Sequence, residues 1–198
     1  MNSFANALSR PRLVLAILTA ISIGATSAAQ AAVINYYVNL SGPNEAPTNS
    51  SPGVGIATVD IDPVTHMMHI HLVFSGLIGL TTASHIHAAT AVAFTGTAGV
   101  ATTTPYFAGF PIGVTAGTYD NTLDMTLATS YNPSYVTAHG GTVAQAETDL
   151  LAAIAAGKAY LNVHTQAFPG GEIRGFLSTD PSTPVETMTW GRLRNLYR

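Results

Sequence analysis

The chain has 198 residues, of which 47% are hydrophobic and only 9% are charged, and its formal net charge is −3. It contains no cysteine, which excludes disulfides, thiol nucleophiles and zinc–thiolate sites. Its 7 basic residues supply too little positive charge for the phosphate contacts that dominate nucleic-acid binding. We therefore expect no nucleic-acid partner, and any metal site must use histidine, carboxylate or backbone oxygen ligands.

The N-terminus has the pattern of a secretory signal peptide. Arg10 and Arg12 precede an apolar run over residues 13–23, which is too short to span a bilayer comfortably. An Ala-x-Ala cleavage signature ends at Ala31. We interpret residues 1–31 as a signal peptide, and the alternative is a membrane anchor that is retained. The protein is then secreted, periplasmic or otherwise extracytoplasmic, with no membrane span after cleavage.

Alternation of apolar and polar residues predicts that most of the remaining chain is β-structure. The predicted strands are residues 33–40, 54–61, 67–74, a segment containing His85 and His87, a short strand at 92–94, and residues 118–127, 159–165 and 172–177. The second and third strands are joined by a short turn and form a predicted hairpin. One helix is predicted near residues 143–156, with a capping box at Thr142 and Gln145 and Gly157 after its end.

These elements predict a mainly β fold, namely an antiparallel Greek-key sandwich or barrel of about seven or eight strands with one inserted helix. Residues 33–178 form its single domain. Residues 179–198 form a flexible basic tail. Within the tail, residues 184–190 weakly resemble the start of a bacterial sorting signal, but the apolar span of such a signal is missing.

Three histidines in two of the predicted strands form the main candidate site. Alternate residues of a strand point to the same face about 6–7 Å apart, so His85 and His87 share one side of their strand. His164 lies in a later strand. Two imidazoles on one strand and a third from a neighbouring strand can share a metal ion, for which copper and zinc are best suited. The alternative is three hydrogen-bonded strand histidines without a metal.

The other polar residues support no catalytic site. His66, His69 and His71 lie on the predicted hairpin, where the last two form a solvent-facing pair. Arg174 is expected to anchor a loop, with Glu45 as a candidate partner. Because no nucleophile elbow, phosphate-binding loop, dinucleotide fingerprint or carboxylate pair is found, we assign no catalytic residue and do not expect an enzyme.

Three segments resemble the CHRD domain, and together they indicate a family. They are residues 40–47 (LSGPNEAP), the His-Ile-His run at 85–87, and residues 160–175 (YLNVHTQAFPGGEIRG), the last being the most specific. The domain is named after chordin, an extracellular antagonist of growth factors, and it also occurs alone in secreted bacterial proteins. The resemblance covers residues 33–178. It implies an extracytoplasmic binding or structural module whose partner is an unknown protein or extracellular ligand.

A second, weaker resemblance is to Cu/Zn superoxide dismutase. In that protein a His-x-His strand is followed by a Val-His strand near the C-terminus, and the matching residues here are His85, His87 and His164. This resemblance implies the alternative function of a metal-binding, superoxide dismutase-like protein with copper or zinc as the cofactor. If that alternative holds, we expect the three ring nitrogens to lie within about 4–5 Å of one another.

Overall fold

The computed structural model of the protein describes residues 32–181. Its strands are β1 Ile34–Ser41, β2 Val54–Asp62, β3 Met67–Ser75, β4 Thr81–His87, β5 Gly117–Asp124, β6 Tyr160–Thr165 and β7 Ile173–Phe176. Its α-helices are α1 Pro133–Ala138 and α2 Val143–Ala155, and short 3-10 turns span Gly42–Asn44 and Ala128–Ser130. The predicted signal peptide, and the predicted tail beyond residue 181, lie outside the described residues.

The seven strands form one antiparallel sheet in the order β4-β6-β7-β1-β2-β3-β5, which curls into a half-barrel. This confirms the predicted mainly β, antiparallel fold. Among the described residues, no helix is long and apolar enough to cross a membrane.

Strand β3 follows its sequence pattern closely. Its buried side is formed by Met68, Ile70, Leu72 and Phe74. His69 and His71 lie half-exposed on the other face, as predicted, and both rings bond to the carboxylate of Asp120 on β5. β2 and β3 pair along their whole length, which confirms the predicted hairpin. The apolar half of the alternation therefore forms the core and the polar half the surface.

The predicted helix is α2, and its start depends on the cap that the sequence indicates. Thr142 Oγ1 accepts a hydrogen bond from the backbone N–H of Gln145 at 3.3 Å. The side chain of Gln145 donates to Asp149 at 2.9 Å instead of returning to Thr142, so the reciprocal half of the predicted capping box does not form. Gly157 has φ of +67°, as a glycine just after a helix C-terminus requires.

One predicted strand does not form, and another is shorter than expected. Where a strand was expected at residues 92–94, the structure has only an isolated bridge between Val92 and Thr95. β5 ends at Asp124, whose carboxylate accepts hydrogen bonds from the backbone and hydroxyl of Thr126 and so turns the chain. Leu127, expected on the same face as the buried strand residues, is therefore exposed.

A loop covers the β4 edge of the sheet. The backbone N–H of Ala101 donates to the carbonyl of Ile86 at 2.9 Å, and that of Phe107 donates to Ser84 at 3.2 Å. These bonds satisfy backbone groups that an edge strand would otherwise leave open. They also hold residues 98–107 against the strand that carries two of the candidate histidines.

The turn between β6 and β7 is fixed by a buried carboxylate, Glu172. Its oxygens accept hydrogen bonds from the hydroxyls of Ser51 and Thr165, both at 2.6 Å. They also accept from the backbone N–H groups of Ile78 and Gly79. Burial alone raises the pKa of Glu172, but these hydrogen bonds outweigh it, and the net pKa is lowered. The β6–β7 turn is thus tied to the connection between β3 and β4.

Replacing Gly175 with alanine should destabilise the fold by about 1–3 kcal/mol, as overpacking does. A Cβ on this residue of β7 would overlap the carbonyl oxygen of Asn39 and lie 2.8 Å from Cγ1 of Val38 on β1. Gly99→Ala is the matched control, because a Cβ there has nothing within 4 Å. Urea unfolding compares the two variants, and equal stabilities would contradict the close approach of β7 to β1.

Candidate metal centre

The strand order brings the candidate histidines together, because β4 and β6 are neighbours. Their register pairs Ala83 with His164 and His85 with Asn162, so the three histidines share one face of the sheet. Nε2 of His85 and Nε2 of His164 are 3.0 Å apart. One ring nitrogen from each of these two and from His87 lies within 4.8 Å of the others. The expected convergence is therefore present, and this group can hold a metal ion.

Each of the three imidazoles bonds through Nδ1 to a backbone carbonyl. The acceptors are Pro105 for His85 at 3.0 Å, Ala98 for His87 at 2.8 Å and Pro169 for His164 at 2.8 Å. A carbonyl oxygen only accepts hydrogen bonds, so Nδ1 carries the proton in each neutral ring and the lone pair lies on Nε2. One loop, over residues 98–107, and the β6–β7 turn thus fix both the orientation and the tautomer of the rings.

The Nε2 lone pairs have no hydrogen-bond donor among them. Nε2 of His85 faces Nε2 of His164, and neither can donate to the other when both Nδ1 atoms are protonated. Nε2 of His87 is buried without any hydrogen-bond partner. A histidine whose Nδ1–H donates to a carbonyl while Nε2 is free has the arrangement typical of a metal ligand.

Burial keeps these imidazoles neutral. Desolvation lowers the pKa of His85 to about 3, assisted by the two neighbouring rings and opposed by the Pro105 carbonyl. Desolvation also lowers the pKa of His87 to about 4, against the effect of its bond to Ala98. The pKa of His164 is lowered for the same reason. At neutral pH all three Nε2 atoms therefore keep their lone pairs.

An aromatic ring and a cation lie beside His87. The ring of Tyr160 stacks on His87 with centroids 4.6 Å apart and an interplanar angle of 9°. The guanidinium of Arg174 lies 4.7 Å from the centre of the Tyr160 ring and 5.7 Å from that of Phe176. The stacked Tyr160 and Arg174 restrict the rotation of His87, because its ring is held by stacking as well as by a hydrogen bond.

Arg174 anchors two loops, as the sequence led us to expect. It donates hydrogen bonds to the carbonyls of Asn44 and Gly96. Its Nε is 3.8 Å from Oε2 of Glu45, the expected partner, but the pair is not bidentate. Burial raises the pKa of Glu45 to about 7, although the nearby Arg174 charge acts to lower it. Arg174 thus ties the segments that contain Asn44 and Gly96 to β7 through their backbone oxygens.

Asn162 is a site residue that the sequence reasoning missed. It lies two residues before His164 on the same face of β6, and only 2% of it is exposed. Its Oδ1 is buried without a hydrogen-bond partner. The signal that could have found it is its position, since a polar residue two places from a site histidine in a buried strand faces the same space.

The remaining described histidines have partners elsewhere in the fold. His66 pairs with Glu147 through Nδ1 at 2.8 Å, and the ring of His139 stacks on Tyr135. His69 and His71 contact Asp120 on the outer face of the sheet. The candidate centre therefore consists of the three histidines that the sequence singled out, together with Asn162 beside them.

The family model of the CHRD domain matches residues 36–177, from β1 through β7. The chain belongs to the CHRD domain family. CHRD domains are extracellular modules, and all three histidines lie within the matched residues. Comparison with curated proteins and with solved structures gives no match. The weaker resemblance to Cu/Zn superoxide dismutase is therefore not borne out.

Replacing Arg174 with lysine should lower the stability of this CHRD domain by about 2 kcal/mol, or roughly 4–8 °C in melting temperature. Lysine keeps the charge but loses the planar donors that reach two carbonyls. Glu45→Gln is the companion variant. At pH 6 the Glu45 carboxyl, with its pKa of about 7, is mostly protonated, so this change should cost much less. Thermal unfolding at pH 6 measures both, and an unchanged melting temperature for Arg174→Lys would contradict the anchoring role.

The buried histidines should also make stability depend on pH. The pKa values of His85 and His87 lie at about 3 and 4 in the fold, against 6.5 ordinarily. Between pH 6.5 and 4 these two histidines are therefore protonated in the unfolded chain but largely neutral in the folded chain. Each histidine then removes up to about 1.4 kcal/mol of stability per pH unit of acidification. Glu45, with its raised pKa, acts in the opposite direction between pH 4.5 and 7.

The variant carrying His85→Gln and His87→Gln together isolates this effect, because Glu45 is unchanged in it. We expect its stability to fall less steeply, or to rise more, than that of the parent chain between pH 6.5 and 4.5. Urea unfolding in the presence of a chelator measures both curves. Parallel curves would show that the two imidazoles are not buried in their neutral form.

Proposed function

We propose that this CHRD domain is an extracytoplasmic metal-binding protein that holds one copper or zinc ion through Nε2 of His85, His87 and His164. One observation carries the proposal: a ring nitrogen of each histidine lies within 4.8 Å of the other two, and neither the facing Nε2 atoms of His85 and His164 nor the buried Nε2 of His87 has a hydrogen-bond donor. A positive ion at their centre replaces repulsion between lone pairs with three coordinate bonds.

The donor set favours copper or zinc over other metals. Imidazole nitrogen suits these two ions, whereas calcium and magnesium prefer sets of oxygen ligands. When bound, the ion supplies a Lewis-acid centre and, in the case of copper, a one-electron redox couple. The protein contributes rings that are already neutral and already oriented, so little order has to be created on binding.

The extracytoplasmic part of the proposal is supported by the family and by the sequence. CHRD domains are extracellular modules, and residues 1–31 have the pattern of a signal peptide. We propose a secreted bacterial protein on these grounds. A role as a binding module for a protein or another extracellular ligand rests on the family resemblance alone and stays a prediction.

Metal titration of the full chain tests the proposed function. At pH 7 we expect one equivalent of Zn(II) or Cu(II) to bind, and His85→Gln or His164→Gln to weaken binding more than about 100-fold, because a ligand is lost. Isothermal titration calorimetry provides the affinities. The Cu(II) form should show coupling to three imidazoles in pulsed EPR.

His139→Gln is the matched control. Its Nδ1 also bonds to a backbone carbonyl, that of Tyr135 at 2.8 Å, but its ring lies at the end of α1 rather than at the candidate centre. It should bind metal as the parent chain does. If the parent chain binds neither ion, or if all three variants bind alike, the proposed function is wrong.

A further inference from the structure

We propose that the side-chain oxygen Oδ1 of Asn162 is the fourth protein donor of this metal centre, a proposal that rests on the metal-binding function above. The first support is position. In the β4–β6 register Asn162 is the direct partner of His85, and it lies two residues from His164 on one face of β6. Directly paired side chains have Cβ atoms about 4.5–5.5 Å apart, so the amide borders the space between these two rings.

The same amide also lies beside the third ring. In the same register His87 is the direct partner of Tyr160, which lies two residues from Asn162 on one face of β6, so the amide is also a diagonal neighbour of this ring. Yet neither Nε2 of His87 nor Oδ1 of Asn162 makes a hydrogen bond. Asn162 is therefore adjacent to all three histidines, and its amide oxygen remains unpaired among them.

The second support is the chemistry of the unpaired atoms. A buried acceptor without a donor is destabilising, and only 2% of Asn162 is exposed. Its Oδ1 and the three Nε2 atoms are all lone-pair donors, so none of them satisfies another. One cation satisfies all four, which accounts for a buried amide oxygen that otherwise has no hydrogen-bond partner in the described part of the chain.

A rival explanation for the unpaired atoms is that the side-chain amide of Asn162 has the opposite orientation. If Asn162 turned its NH2 group toward Nε2 of His87, it would satisfy that atom in the metal-free protein and would compete with the metal. Removing the amide would then strengthen metal binding or leave it unchanged. A donor role predicts the reverse, so the sign of the change in affinity separates the two explanations.

An oxygen donor beside three imidazoles also affects which ions bind. Amide oxygen is a hard ligand that suits divalent ions, whereas Cu(I) gains little from it. We therefore expect Asn162→Leu, which is similar in size but has no donor atom, to weaken Zn(II) and Cu(II) binding about tenfold. Its affinity for Cu(I) should stay the same.

The experiment compares the full chain with Asn162→Leu and Asn162→Asp. Competition with chromophoric chelators gives the affinities for Zn(II), Cu(II) and Cu(I). Pulsed EPR of the Cu(II) form in D2O detects exchangeable water on the metal, and Asn162→Leu should gain water where the amide oxygen was. Asn162→Asp keeps the size and offers a stronger oxygen donor, so zinc should raise its melting temperature more than that of the parent chain.

Asn49→Asp is the matched control, because Asn49 is a partly buried asparagine whose side chain is fully engaged with backbone groups. This change should destabilise the metal-free and metal-bound forms alike. If the parent chain binds no metal, the proposed function fails. If the parent chain binds metal with the three-imidazole signal, but Asn162→Leu matches or exceeds its affinity and gains no water, the Asn162 proposal alone is overturned.

If Asn162→Leu does not fold, the decision rests on Asn162→Asp. A stabilisation by zinc equal to that of the parent chain would then overturn the donor role, and a larger one would support it. A purely structural asparagine would give the pattern of Asn49→Asp, with equal losses in both forms.

Discussion

The candidate centre depends on one repeated interaction, the hydrogen bond from a histidine Nδ1–H to a backbone carbonyl. Three such bonds, to Ala98, Pro105 and Pro169, fix the proton on the outer nitrogen of each ring. The inner nitrogens are then bare acceptors, and burial lowers the pKa of the imidazoles so that they do not protonate at neutral pH. Without these bonds the rings could rotate or change tautomer and satisfy one another.

The fold supplies those carbonyls from segments far apart in the chain. The loop over residues 98–107 covers the edge of β4 and carries two of them, so one set of backbone contacts both protects the sheet edge and orients two rings. The third belongs to the β6–β7 turn, which the buried Glu172 ties to the β3–β4 connection. The rigidity of the centre therefore comes from the packing of its loops on the sheet.

The three candidate ligands of the centre are neutral, because burial lowers the pKa of each imidazole. Arg174 stays buried by bonding to loop carbonyls and lying against Tyr160, while the carboxyl of Glu45 sits beside it with a pKa raised to about 7. The group of converging ligands consists of three histidines and includes no carboxylate. This sets the chemistry of the CHRD domain's centre apart from that of the outer face, where His69 and His71 share the exposed carboxylate of Asp120.

The sequence by itself determined the local features of this protein. Period-two alternation gave the strands and the hairpin, Thr142 marked the start of α2, and strand geometry put His85 and His87 on one face. It also indicated the CHRD family. The misjudged ends, such as that of β5, depend on single side-chain bonds to the backbone, which leave no periodic signal.

Only the tertiary structure decided that β4 pairs with β6, so that His164 meets His85 across 79 residues of chain. It also decided which carbonyls hold the rings and that Asn162 faces them. The physical reason is that strand order and loop contacts are set by the packing of the whole sheet. Backbone carbonyls, moreover, are the same at every residue, so no sequence pattern can mark the three that orient the histidines.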